Sequence, residues 1–256
     1  MLATPTPRPG SSRTGLAGRR YHAPPPGYRG PVCPDAPASP EAANYLFHDR
    51  KEAGIRLAAA LTQFQGKEDV LVMGIPRGGV VVAAEIARAL NAPLDVWISC
   101  TLRPHKASAG VGSISEDGDM VVDEAAVERM QIPHVALVQE IRLRRQEVKE
   151  RAEMYRGGQP PSPLFGKTVV LVDDGITTGS SARIALQGIL RSQVQQCILA
   201  VPVAPQLQAK ALEALTPDIL VLETPVGFQS VAGYYVHFKQ VTDAEVIEAL
   251  RGPSQP

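Results

Sequence analysis

Apolar residues recur along this chain at two spacings, and the two alternate. Short unbroken runs appear at 69–75 (DVLVMGI), 93–99 (PLDVWIS), 168–172, 196–202 and 218–222. Continuous apolar runs of this length predict strands buried on both faces. Between them the period lengthens toward that of a helix. The segment 49–64 places Ala53, Leu57, Ala60, Leu61 and Phe64 on one stripe. Asp49 is placed as its N-cap, with Glu52 in the capping-box position. Helices are also predicted over 79–91, where Asn91 ends the turn, and over 134–156, 179–191 and 205–214. In the long helix 134–156, Leu137, Ile141, Val148, Ala152 and Tyr155 share one face. Its arginines and lysine interleave with glutamates on the other, which reads as a solvated face.

Strands separated by helices of this length imply βαβ units. The expected architecture is therefore α/β, a mostly parallel twisted sheet with helices on both faces. Its ligands would lie at the carboxyl edge of the sheet, where helix N-termini also point. The polar stretch 100–122 interrupts the alternation. It predicts a mobile loop over 100–112, then a hairpin turning at Glu116, Asp117 and Gly118.

Composition narrows this picture. The chain has 256 residues, 44% of them apolar, which is enough for one large core. Formal net charge is zero, which argues against nucleic acid or an anionic membrane as partner. Cys33, Cys100 and Cys197 are far apart, so neither a disulfide framework nor a zinc site is expected, and a cytoplasmic location is. Residues 1–44 hold ten of the 23 prolines and five arginines, against two acids. They read as a disordered tail, with an organellar transit peptide as the rival reading. A folded domain is expected over 45–250, and a disordered end over 251–256.

Two strand-to-helix turns hold the chemistry. The first is IPRGG, residues 75–79; the second is VDDGITTGSS, residues 172–181. Each sets small residues at a helix start, where free N–H groups and the helix dipole favour an anion. Neither is GxxxxGK[ST] or GxGxxG, so P-loop and dinucleotide sites are disfavoured. In the second turn Gly175 and Gly179 free the backbone, and Thr177, Thr178 and Ser180 add hydroxyls suited to phosphate. Asp173 and Asp174 would repel a phosphate but accept hydrogen bonds from a vicinal diol. A diol beside a phosphate is the chemistry of ribose 5-phosphate.

The stretch VVLVDDGITTGSS closely resembles the signature of type I phosphoribosyltransferases. The resemblance implies that Asp173 and Asp174 hold the ribose of phosphoribosyl pyrophosphate. Gly175, Ile176, Thr177, Thr178, Gly179 and Ser180 would wrap its 5-phosphate. IPRGG looks like the family's pyrophosphate loop, often built on a strained peptide bond, which assigns that role to Pro76, Arg77, Gly78 and Gly79. FHDRKEAG (47–54), MYRGG (154–158) and VPVAP (201–205) are similar to a group of uncharacterised bacterial members. The implied reaction displaces pyrophosphate from C1 of phosphoribosyl pyrophosphate by a nitrogenous base. Mg²⁺ would ride on substrate and water, with Asp173 and Asp174 the nearest side chains and no dedicated metal ligands. A homodimer is implied too, with a hood built from 45–60 and 224–241 in which Phe228, Tyr234 and Tyr235 could stack on the acceptor.

Two departures from the family pattern matter. Hypoxanthine and guanine enzymes place an acid where this chain has Thr177, so another base is expected. Cys100-Thr101 stand where relatives show Arg-Lys. Arg103 and Lys106, with His105, could replace that charge as catalytic cations. If they do not, the protein would bind phosphoribosyl pyrophosphate or a nucleotide as a non-catalytic regulator. A scaffold acting through the Pro/Arg-rich tail is a third reading.

Overall fold

A computed structural model of the chain describes residues 45–104 and 110–252. The expected tail 1–44, His105, Lys106 and residues 253–256 lie outside the described residues.

Five strands form the parallel sheet predicted from the apolar runs. They are β1 (Val70–Gly74), β2 (Leu94–Val96), β6 (Thr168–Val172), β7 (Gln196–Val203) and β8 (Ile219–Glu223). Their spatial order is β2-β1-β6-β7-β8. The chain thus builds outward in one direction after β1 and in the other after β6. The switch falls between β1 and β6, which pair in parallel with Gly74 opposite Val172. Loops that leave neighbouring strands in opposite directions open a crevice between them. Both sequence motifs sit on those two loops.

Alternation along each strand divides the core. Val70, Val72, Val170 and Val172 face α1 (Arg50–Ala59) and α2 (Gly78–Leu90). Leu71, Met73, Val169 and Leu171 face α5 (Ser180–Arg191) and α6 (Gln206–Glu213). Asp49 caps α1 as expected, accepting from the Glu52 amide. Glu52, however, returns its carboxylate to the amide of His48 rather than to that of Asp49. Asn91 ends α2 in the left-handed conformation.

The segment 93–102 departs from expectation. In place of one strand followed by loop, it splits between two sheets. Trp97 still donates to Gly74 of β1. At Ile98 the chain is taken over by the hairpin: Ile98 N donates to the Glu116 carboxylate, and Glu116 N donates to the Ile98 carbonyl. Residues 99–102 are therefore β3 (Ser99–Leu102), in a small antiparallel sheet with β4 (Gly112–Ser115) and β5 (Met120–Val122). The β4–β5 turn comes at the Glu116–Gly118 site predicted, with Gly118 at φ 89°. Two further helices escaped the periodicity argument, α3 (Glu124–Arg129) and α7 (Asp243–Arg251). Arg251 therefore belongs to a helix and not to a disordered end. Helix α4 (His134–Arg156) matches the prediction. With α7 and the small sheet it encloses a third apolar cluster that includes Leu102, Ile114, Val148 and Val246.

The MYRGG motif closes α4 and holds these parts together. Arg156 is nearly buried, its side chain 6% exposed. It donates to Asp95 at 2.9 Å, to both oxygens of Glu116 and to the Val96 carbonyl at 2.7 Å. Asp95 also accepts from the amides of Val96 and Ser162. One guanidinium thereby pins the end of α4, β2, the hairpin and the segment leading to β6. Among the described residues no helix is long and apolar enough to cross a membrane.

Removing one member of such a network strands the others as buried charges. Arg156→Met is expected to destabilise the protein by about 3–5 kcal/mol, read as a fall in the urea midpoint. Arg156→Lys should recover little of this, because one ammonium cannot reproduce the planar set of donors.

Candidate active site

The site is built where the ends of β1 and β6 meet the starts of α2 and α5. Ile75 N donates to the Val172 carbonyl at 2.8 Å and locks the two loops side by side. The Pro76–Arg77 peptide bond is cis. Gly78 and Gly79 then let α2 start directly against the aspartates. A Cβ on Gly79 would stand 2.7 Å from the Val172 carbonyl oxygen and 2.8 Å from Asp173 Cα. A Cβ on Gly78 would stand 1.9 Å from Asp174 Oδ2. The glycines of the first motif are thus spaces occupied by the second.

Asp173 and Asp174 end a strand whose five residues are all buried. The Asp174 amide donates to Asp173 Oδ1 at 2.9 Å. Loss of water, then the charge of Asp174, pushes the Asp173 carboxyl well above the usual carboxylate range. Burial raises Asp174 as well, against the opposing pull of Arg50. Arg50 Nε donates to Asp174 Oδ2 at 2.8 Å. The Tyr235 hydroxyl donates to the Asp174 carbonyl at 2.7 Å.

Beyond the aspartates the chain turns into α5. Ile176 is buried, and its amide donates to the Val203 carbonyl. Thr177, Thr178 and Ser180 are exposed. The Thr178 and Ser180 hydroxyls lie 3.1 Å apart. Gly179 takes the cap position of α5 with φ 78°, and no side chain caps the helix there. Amides of a first helical turn without a cap are donors available to an anion.

The other predicted residues fall into different settings. Arg77 is half-buried at the start of α2, its guanidinium 4.0 Å from Asp243 of α7. Asp243 also accepts from the Tyr155 hydroxyl of α4. Arg103 follows β3 with its side chain exposed, and its amide donates to Glu140 of α4 at 2.8 Å. Cys100 lies inside β3, and burial, then Glu147, pushes its thiol up to about 11. A thiol so protonated is no nucleophile at neutral pH.

The segments 45–60 and 224–241 do meet. Leu46 and Phe47 donate to the Tyr234 carbonyl, and Val236 donates back to Phe47. Phe228 and Tyr234 are half-buried, their ring centroids 5.2 Å apart. Tyr235 is only 2% exposed, with Phe47 and Phe238 against its ring. Its ring serves as a strut between hood and Asp174 rather than as an open stacking surface.

Sequence reasoning missed Arg50, Asp243 and Tyr155 as parts of this site. Arg50 left a signal. It stands three residues before Ala53 and seven before Leu57, on the buried stripe of α1, where an unpaired charge would be costly. Asp243 left none, because it acts across 166 residues from Arg77.

Comparison with known proteins gives the family to which this fold belongs. A family model described as the phosphoribosyl transferase domain matches residues 43–232. The chain belongs to the phosphoribosyltransferase family, and its central sheet is parallel with helices on both faces. Proteins of two Mycobacterium tuberculosis strains, named "Putative phosphoribosyl transferase" Rv0571c and MT0597, are 38% identical over 206 residues, covering 80% of this chain. Only 46% of each is covered, so this chain spans about half the length of the curated relatives it matches. The crystal structure of TT1426 from Thermus thermophilus is 36% identical, with a TM-score of 0.65. It covers 80% of this chain and 97% of that one.

The raised Asp173 carboxyl has a stability consequence. The neutral form is the favoured one in the folded state, so stability is fully present below the unfolded value near 4. It is lost as pH rises toward the raised folded value. Asp173→Asn keeps the Oδ1 acceptor and removes the charge. It is expected to raise the melting temperature of the ligand-free protein at pH 7 by about 2–4 °C. The gap should close as melts are repeated toward pH 4.

Proposed function

We propose that the protein transfers ribose 5-phosphate from phosphoribosyl pyrophosphate to a nitrogenous base and releases pyrophosphate. The observation that supports this most is the close fit of the two loops at the β1/β6 switch point. Asp173 and Asp174 would accept hydrogen bonds from the ribose hydroxyls. The first turn of α5, with Thr177, Thr178 and Ser180, would hold the 5-phosphate. Amides at the start of α2 and the Arg77 guanidinium would hold the pyrophosphate.

In the reaction the C1–O bond to pyrophosphate breaks as a C1–N bond to the base forms. Pyrophosphate leaves with the bonding electrons, and the nitrogen's proton passes to solvent. The chain's part is to align the two reactants and to neutralise the leaving charge. Arg103, at the exposed end of β3, is the described candidate for meeting that charge; Lys106, its proposed companion, lies outside the described residues. Phe228 and Tyr234 are the hood rings with partly open faces for a flat acceptor. Thr177 supplies no carboxylate general base, which favours an acceptor other than hypoxanthine or guanine.

Mg²⁺ fits this donor set as a substrate-borne ion. Among the described residues no group of three or more His, Cys, Asp or Glu side chains could hold a metal. Asp174 already gives one oxygen to Arg50. Asp173 would be the side chain to meet such an ion. When bound, the ion would offset phosphate charge and complete its shell with water. A homodimer and a cytoplasmic location form part of the same proposal.

The test is pyrophosphate release from phosphoribosyl pyrophosphate and Mg²⁺ across a panel of bases and small amines. At least one acceptor is expected to give turnover that Asp173→Asn with Asp174→Asn lowers by 100-fold or more, an order-of-magnitude figure for losing two charged contacts of about 1.5–3 kcal/mol each. Binding of phosphoribosyl pyrophosphate by calorimetry, with no turnover on any acceptor, would replace this function with a regulatory one.

A further inference from the structure

Arg50 belongs to none of the loops that would contact substrate, yet four parts of the site converge on it. Its Nε holds Asp174 Oδ2 at 2.8 Å. One terminal nitrogen donates to the Lys239 carbonyl at 2.9 Å, in the hood. Its guanidinium lies over the Phe238 ring, 3.8 Å from the centroid. On the remaining side is Gly78, where a Cβ would come 2.8 Å from Nε and 1.9 Å from Asp174 Oδ2. The ion pair thus occupies the space that the missing side chain leaves. Both partners are withdrawn from water, with side chains 9% and 17% exposed.

This arrangement restricts Asp174. A carboxylate that gives one oxygen to a fixed guanidinium cannot rotate freely about its last bond. Asp173 is restricted likewise, since its Oδ1 accepts from the Asp174 amide. The two carboxyls also hydrogen-bond each other side chain to side chain, so a diol would meet the pair as one preset unit. Arg50 also cancels one negative charge beside the pair. That reduces its repulsion of a polyphosphate ligand.

We propose that Arg50 is a positioning residue for ribose recognition. By occupying Asp174 Oδ2 it aims the other oxygen at a ligand hydroxyl, and through Lys239 and Phe238 it ties that aim to the acceptor hood. The proposal rests on the ribose role of Asp173 and Asp174 given above. It predicts a specific defect. Loss of Arg50 should weaken recognition of the sugar hydroxyls while sparing the phosphate cradle on α5.

The test compares three probes by calorimetry or ligand-observed NMR: ribose 5-phosphate, 2-deoxyribose 5-phosphate and inorganic phosphate. The wild type is expected to prefer ribose 5-phosphate over the deoxy sugar by roughly tenfold or more, the scale of a hydrogen bond to a charged group. Arg50→Gln should reduce that preference to about threefold or less, with inorganic phosphate binding unchanged within about twofold; both limits are set by the same scale. A preference that survives in Arg50→Gln overturns the proposal. So does equal loss of all three probes, which marks Arg50 as merely structural. A wild type with no preference removes the ribose role itself, and this proposal with it. If Arg50→Gln alone does not fold, Asp174→Asn is compared with Arg50→Gln/Asp174→Asn, which buries no unpaired charge. Equal preference in those two supports action through Asp174, and a further drop in the double variant overturns it.

Discussion

Asp173 and Asp174 follow a strand that is buried on both faces, and they keep only part of their water shell. Two adjacent carboxylates there repel each other and have lost solvation. Much of the surrounding structure responds to that cost. The Asp174 amide turns back on Asp173, Arg50 arrives from α1, and Tyr235 takes the Asp174 carbonyl. The two glycines of the neighbouring loop make the room in which these contacts fit. Sheet order supplies the rest, since only at the β1/β6 switch do two such loops lie side by side.

A second set of charges works at the C-terminal end of α4. Arg156, Asp95 and Glu116 bind one another so fully that they are fixed structure. Next to them in sequence, Tyr155 reaches α7 and, through Asp243, the guanidinium of Arg77. A motif read only as a mark of kinship thus has two jobs in adjacent residues. Arg156 fastens the small sheet to the large one. Tyr155 helps to set the arginine that would meet pyrophosphate.

How much of this was legible in the sequence depended on the range of the interaction. The five parallel strands showed as apolar runs, because burial on both faces leaves no polar positions. The clustering of 173–180 at one strand-to-helix turn was readable because its residues are neighbours in the chain; the phosphate and diol chemistry read from them is what the proposed function uses. The division of 93–102 between two sheets did not show. It depends on Glu116 capturing Ile98 from 18 residues away. Nor did the use of Tyr235, since an aromatic on a hood reads alike whether it stacks on a ligand or on Phe47 and Phe238. Composition cannot separate those two, but burial to 2% does.

The hood and the aspartates are therefore one mechanical unit. Tyr235 and Arg50 each run from the hood to Asp174, one to its carbonyl and one to its carboxylate. A ligand under the hood that displaces Phe238 or Lys239 must also move the guanidinium, and with it the oxygen offered to a sugar. Coupling between two sites needs a shared element whose position both ligands bias. On the positioning role proposed for it, Arg50 would be such an element, since it touches both Asp174 and the hood. If the proposed sugar and acceptor roles hold, occupation of one should favour the other, and by reciprocity each by the same factor.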